Sequence, residues 1–263
     1  RRYKKMKEFK PGVYEDLSYE EYAEIPAFRS HDLTAVIKCP FSWKYRKEME
    51  QTPALLEGRV QHTVFLEHHK FDEEFVIQPN VDRRTKIGKA DYEDFLATVG
   101  NRTPISQDLY DVCMKRREVV KDYIPKETDR AELTLVFEWH GAPFKARMDW
   151  YDNEYVWDLK TCRDASPRGF KGAINAFNYH QQASLYVDGA KACGLTAKGF
   201  NFLAQEKQDP YPYVVYTLSD EALKYAQARN EQALALIQDC SKNDDYKPYN
   251  CEGIQEVGLK DLY

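Results

Sequence analysis

Asp149, Asp158 and Lys160 are the residues whose types and spacing could do chemistry. Two carboxylates from neighbouring strands can hold a hard divalent cation through oxygen ligands. Such an ion stabilises charge on a phosphate and lowers the pKa of a bound water. A lysine beside it can orient that water or steady the developing charge. The bland counterpart is the charged face of a solvated hairpin, and an Asp-x-Lys pattern alone does not separate the two.

The elements that must position these residues are two short strands and a turn. Residues 144–150 alternate apolar and charged side chains. Residues 151–154, Tyr-Asp-Asn-Glu, carry turn chemistry, because Asp and Asn bond their own backbone and tolerate turn geometry. Residues 155–161 are rich in aromatic and β-branched types and read as a second strand. Alternation puts Asp158 and Lys160 on one face and Trp157 and Leu159 on the other. Lys145, Arg147 and Asp149 share a face of the first strand. Closure across 151–154 brings Asp149 within a diagonal step of Asp158, roughly 7–8 Å between backbones.

The rest of the chain supplies a large core. Its 263 residues suffice for one large domain or two small ones. A net charge of -5 argues against a uniformly basic coat and leaves room for a local basic groove. The cysteines at 39, 113, 162, 193, 240 and 251 form no C-x-x-C, which disfavours a zinc ribbon or an iron–sulfur cluster and suits reduced thiols in a cytosolic protein. There is no apolar run near 18 residues and no signal-peptide pattern, so no membrane span or secretion is expected.

In chain order, residues 1–29 read as a polar, loosely packed arm. Ser30 caps a predicted helix over 32–38, and a helix over 54–68 begins after Pro53. Gly58 and His62 lie four apart on that helix and share a face. A helical Gly costs about 1 kcal/mol against Ala, which suggests close approach of something there. His62 has two readings, a satisfied core imidazole or a metal ligand. Residues 71–79 read as a short strand and its exit. Residues 82–89 form a cationic loop with Arg83, Arg84 and Lys86, able to grip phosphates or simply to be solvated. Helices are predicted over 90–98 and 107–123, the second burying Leu109, Val112, Cys113, Val119 and Val120. Strands follow over 132–139, 198–204 and 213–218. Helices follow over 170–177, 179–193 and 220–240. Tyr179, Gln182 and Tyr186 form one stripe, where Gln182 either is a buried amide bonded to backbone or faces a nucleotide or metal site. The order suits an α/β or α+β domain with a mixed sheet between helices. It divides as the arm 1–29, a domain 30–240 and a tail 241–263 packed on the same domain.

Taken together, these segments resemble the RecE-type exonucleases, the exonuclease VIII family of phages and prophages, within the PD-(D/E)XK nuclease superfamily. The resemblance rests on Ser30…Leu33…Cys39-Pro40, on Gly58…His62…Leu66-Glu67, and on 71–75 with 83–89. It continues through Glu132-Leu-Thr134, Lys145…Arg147-Met148-Asp149, Asp158-Leu-Lys-Thr161 and Tyr179-His-Gln-Gln182…Tyr186. Thr134 stands where the family pattern has Ser, which keeps the hydroxyl.

The resemblance implies an α/β fold, the PD-(D/E)XK core of a mixed central sheet flanked by helices. It implies Mg²⁺, with Mn²⁺ as substitute, held by Asp149, Asp158, the Leu159 carbonyl and His62. Lys160 would position the attacking water, and Gln182 and Tyr186 would line the pocket. Glu132 would be structural rather than catalytic. The implied activity is processive 5′-to-3′ digestion of linear double-stranded DNA, leaving 3′ overhangs for annealing-type recombination. The implied setting is a bacterial host cytoplasm, a tetrameric ring and a RecT-type annealing partner. Arg83, Arg84, Lys86, Arg163 and Lys171 are the candidate phosphate contacts, sequence-independent and salt-sensitive. Two other readings remain, an endonuclease on the same core and a non-catalytic DNA-binding or annealing scaffold.

Overall fold

Three strands in immediate succession build the middle of the sheet, because residues 130–162 alternate side chains around two tight turns. A computed structural model of the chain describes residues 9–47, 52–249 and 256. The first half contains β1 (Gly12–Tyr14), α1 (Tyr19–Glu24), α2 (Ser30–Lys38), α3 (Pro40–Lys44) and α4 (Pro53–Leu66). After a 3₁₀ turn come α5 (Phe71–Glu74), β2 (Phe75–Ile77), α6 (Lys86–Val99), β3 (Thr103–Ile105) and α7 (Gln107–Val119). The second half runs β4 (Arg130–Trp139), β5 (Ala142–Tyr151), β6 (Tyr155–Cys162), α8 (Pro167–Ala176), α9 (Tyr179–Ala192), β7 (Gly199–Glu206), β8 (Tyr213–Thr217) and α10 (Asp220–Asn243).

The main sheet has the order β1-β4-β5-β6-β7-β8. β6 and β7 are parallel and the other neighbours antiparallel, so the sheet is mixed, as expected. One face packs on α2, α9 and α10 through Leu33, Val36, Leu185, Leu234 and Ile237. The other face, with Trp150, Leu159 and Leu203, packs on Phe65 and Leu66 of α4 and on Val120. β2 and β3 pair in parallel beside α4 and α7 around Val60, Val64, Phe75 and Cys113. No helix among the described residues is long and apolar enough to cross a membrane. The described cysteines are free thiols.

Several expectations change. The segment 12–28 is part of the folded body rather than a loose arm. β1 pairs with β4, Ser18 and Glu21 close a capping box on α1, and Phe28 bridges to Phe144. The reason lies in Lys145, whose ammonium is buried under α1 and donates to the carbonyls of Tyr22, Ala23 and Ile25 at 2.7, 3.1 and 2.8 Å. It thereby gathers the carbonyls at the C-terminal end of α1, two of which also accept from the Ile25 and Ala27 N–H groups. Ser30 is not the cap of α2. Arg29 holds that position, and its N–H donates to Asp32 at 2.8 Å.

α6 starts at Lys86, four residues before the predicted start, because Thr85 accepts from the Gly88 N–H. The helix can turn there because Gly88 has no side chain; a Cβ would lie 2.2 Å from the Asp82 carbonyl. The segment 71–79 opens with a helical turn before its strand, and β3 was hidden by Pro104. Val119 is exposed, since α7 ends there. Of the tail, Tyr246 stacks beside Trp43. Residues 250–255 and 257–263, Cys251 among them, lie outside the described residues.

Lys145→Met removes three charge-assisted hydrogen bonds from the carbonyls at the end of α1. It should lower stability by about 3 kcal/mol, read as a lower denaturant midpoint at unchanged slope.

Candidate active site

β5 and β6 pair only at their turn end, where Trp150 lies opposite Trp157 and Tyr151 opposite Val156. Two residues further along β6, the Leu159 N–H donates to Asp149 Oδ2 at 2.7 Å instead of to a strand carbonyl. The carboxylate thus occupies the place of a ladder acceptor, and the two strands part. Asp149 and Asp158 are 9% and 2% exposed. Ions so desolvated need partners. Asp158 Oδ1 accepts from Gln182 Nε2 at 2.9 Å. Lys160 Nζ lies 2.6 Å from Asp158 Oδ2, yet that buried oxygen receives no directed hydrogen bond. The ammonium also sits over the Tyr179 ring at 4.8 Å.

α4 delivers His62 to the same place. Its Nε2 lies 3.7 Å from Asp149 Oδ2 and its Nδ1 3.7 Å from Glu132 Oε1. Candidate ligand atoms of His62, Glu132 and Asp149 all fall within 4.8 Å of one another. Glu132 sits in β4 with φ of 48°, unusual for a non-glycine residue. Such strain costs on the order of 1–3 kcal/mol and persists where its surroundings over-determine it. Here Arg147 grips the Glu132 carboxylate at 3.2 Å.

The electrostatics follow from burial among like charges. Burial pulls the His62 imidazolium down, but the Asp149 and Glu132 carboxylates outweigh it and raise its pKa to about 9. Burial lifts Asp149 well above the usual carboxylate range, His62 opposes, and Asp158 adds to the rise. Burial also works against the Lys160 ammonium, and Asp158 and Asp149 more than restore it. Tyr186 is pushed far above its ordinary value, chiefly by burial, so its phenol stays neutral.

The fold therefore brings together Asp149, Asp158, Lys160, Gln182 and His62. Leu159 contributes its N–H to Asp149, and its side chain is core. Tyr186 is buried one turn beyond Gln182 on the same face of α9. Glu132, expected to be structural rather than catalytic, stands among the potential ligands; its left-handed backbone, unpaired in the β4–β5 register, gave no signal in the sequence. Thr134 keeps a hydroxyl that has no hydrogen-bond partner. The five basic candidates lie outside this cluster. Arg83 lies over the Tyr92 ring at 4.5 Å and lines a cleft with Gln78, Asn80 and Gln107. Arg84 pairs with Asp82 at 3.1 Å, while Lys86, Arg163 and Lys171 are exposed. Among the described residues nothing lies within 4 Å of a Cβ placed on Gly58, so none of them makes the close approach expected there.

A mixed sheet between helices, with Asp and Asp-x-Lys on parted neighbouring strands, defines a PD-(D/E)XK-type protein. The family model described as "PDDEXK-like domain of unknown function (DUF3799)" matches residues 33–259, and the chain belongs to that family. Among solved structures it is similar to a crystal structure from Eubacterium rectale of a protein provisionally named an exonuclease. That pair has 14% identity and a TM-score of 0.61, covering 95% of this chain and 98% of the other. This likeness speaks for the fold alone. Another match, SSO0001, has 12% identity and covers 77% of this chain and 92% of the other; its TM-score of 0.31 is too low to bear on the fold. No curated protein matches the chain. These findings reach the superfamily and do not single out the RecE type.

The donor set suits the divalent metal that this fold family implies. It is rich in carboxylate oxygen, includes one imidazole, and leaves Asp158 Oδ2 buried with the Lys160 ammonium beside it. A metal at His62 must displace the proton held with a pKa of about 9. Titration of the protein with Mn²⁺ at pH 7.5, in buffers of different ionisation enthalpy, should show net proton release. His62→Gln should reduce that release, leaving the share that Asp149 gives up, and weaken uptake.

Proposed function

We propose that the protein is a metal-dependent deoxyribonuclease that digests linear double-stranded DNA from its ends. The observation that carries this reading is the convergence of Asp149, Asp158 and Lys160 where β5 and β6 part, with His62 and Glu132 alongside. Asp149, Asp158, Glu132 and His62 would hold Mg²⁺ or Mn²⁺, and the Leu159 carbonyl is a further candidate. A bound cation supplies Lewis acidity toward phosphate oxygen and a water of lowered pKa.

The chain's own groups do the rest. Lys160 is held as an ammonium by the neighbouring carboxylates. In that form it donates to water or phosphate oxygen and cannot accept a proton. Its task is therefore to orient the nucleophile and to offset charge on phosphorus. Gln182 fixes the Asp158 carboxylate through Oδ1 and leaves Oδ2 to face the cation or the ammonium. Tyr179 supports Lys160 from below through its ring face. Tyr186 stays protonated one turn beyond Gln182. Arg83, Arg84, Lys86, Arg163 and Lys171 are proposed to meet the DNA backbone.

The finer features rest on the motif resemblance to RecE-type enzymes. They are 5′-to-3′ polarity, processivity, 3′ overhangs for recombination, a tetrameric ring, a RecT-type partner and work in the cytoplasm of a bacterial host. The unit boundaries proposed from sequence are 30–240 for the nuclease domain and 241–263 for a tail packed on it. β1 adds residues 12–14 to the sheet.

End-labelled linear duplex with Mg²⁺, Mn²⁺ or EDTA tests the reading directly. Digestion should need metal, spare a covalently closed circle and release label from 5′ ends; loss of the circle would point to an endonuclease. Lys160→Ala should lower kcat by about 100- to 1,000-fold, and full activity in Asp158→Ala would remove these residues from the chemistry. Gly58→Ala should raise stability by about 1 kcal/mol, yet raise KM for DNA, because the open face beside His62 is where substrate must pass. A stabilised variant with unchanged KM would place the DNA elsewhere.

A further inference from the structure

Phe177 is a large aromatic residue left 65% exposed, joined to the carboxylate cluster through Tyr179 and Lys160. Single exposed aromatics are ordinary and need no explanation. This one is distinguished by what it is fastened to. Its ring stacks on Tyr179 with centroids 5.5 Å apart and planes 28° from parallel. Tyr179 lies under Lys160 Nζ, and Lys160 pairs with Asp158. Two contacts therefore join an exposed ring to the ammonium proposed to act on phosphorus.

The stack is also rigid. Tyr179 packs against Phe170 and Phe202 at 6.3 and 6.0 Å, and both of those rings are fully buried in the main core. Between the stacked rings stands Asn178 in a left-handed conformation, φ 55° and ψ 35°. A non-glycine residue there stores strain. Phe177 and Asn178 are the whole connection between α8 and α9, and in this two-residue turn Phe177 is held against the first residue of α9.

We propose that Phe177 is a stacking platform for an unpaired nucleobase next to the scissile phosphate. The inference rests on the nuclease reading of the neighbouring carboxylates. A flat apolar face with a cation behind it matches a heteroaromatic ring attached to an anionic backbone. Stacking tolerates every base, since each has a π-face, which suits digestion without sequence preference. A base inside a duplex is already stacked on its neighbours. Phe177 is therefore reachable only for a nucleotide freed at an end, and this favours termini over internal sites. Phe177 is here a binding residue: it holds the freed nucleotide at the site and takes no part in proton or phosphoryl transfer.

The test uses duplexes with a short single-stranded end, either intact or abasic at the terminal nucleotides. Affinity is read in EDTA and, separately, digestion with Mg²⁺ or Mn²⁺. The protein should bind the intact end about tenfold more tightly than the abasic end. Phe177→Ala should erase that difference and raise KM while leaving kcat within about twofold. Phe177→Trp should restore the preference, and thermal midpoints of both variants should match that of the unaltered protein. Equal affinity of the unaltered protein for both ends, or a preference that survives in Phe177→Ala, overturns the proposal. A base preference without metal-dependent digestion would defeat the nuclease reading and leave the platform standing. Digestion without a base preference would do the reverse.

Discussion

The fold depends on one substitution of partners: the Leu159 N–H gives its hydrogen to the Asp149 carboxylate rather than to a carbonyl of the neighbouring strand. An antiparallel pair that kept its ladder would leave no gap between β5 and β6. By taking the ladder's place, Asp149 ends the pairing one step from the turn and opens a polar notch within an otherwise apolar sheet. The same bond satisfies a buried N–H that would be costly unpaired. The opening therefore carries no orphan donor, and a site can be built there without loosening the strands on either side.

Around that notch, charges of both signs are packed at close quarters. Glu132, Asp149 and Asp158 face His62, Lys160 and Arg147. Burying such groups is unfavourable unless each meets a partner, and the pKa directions record the tension: imidazole and ammonium held protonated, Asp149 pushed toward neutrality. The charges so gathered are balanced in number but deeply desolvated. Lys160 and protonated His62 offset the carboxylates, which is how the cluster stays folded when no cation is bound. Stability and chemistry are set by the same residues, and strain at Glu132 marks where the two compete.

Much of this was legible in sequence because strand periodicity is local. The hairpin, the shared face of Asp158 and Lys160, and the stripe of Tyr179, Gln182 and Tyr186 follow from alternation and from the helical repeat. What escaped was set by distant packing. Glu132 joins the cluster through a left-handed backbone, unpaired in the β4–β5 register, that no propensity announces. The segment 12–28 reads as polar and loose because its anchor, the Lys145 ammonium, lies more than a hundred residues away and looks like a surface lysine. β3 was masked by Pro104, admissible in a two-stranded pair. The early start of α6 turns on one glycine fitting under the Asp82 carbonyl, a steric fact invisible in composition. His62 had two readings until α4 was docked against the sheet.

The parallel pairing of β6 with β7 has a topological consequence. Two parallel neighbours cannot be joined by a tight turn, so the chain must travel back the full length of the sheet, and α8 with α9 is that return path. Gln182 and Tyr179 ride on it and meet Asp158 and Lys160 at the strand the path has just left. The roof of the notch is thus a by-product of chain routing, and its handedness is fixed by the right-handed crossover rule. Surface connections elsewhere can lengthen or shrink with little effect; this one cannot be rerouted without lifting the roof from its own floor.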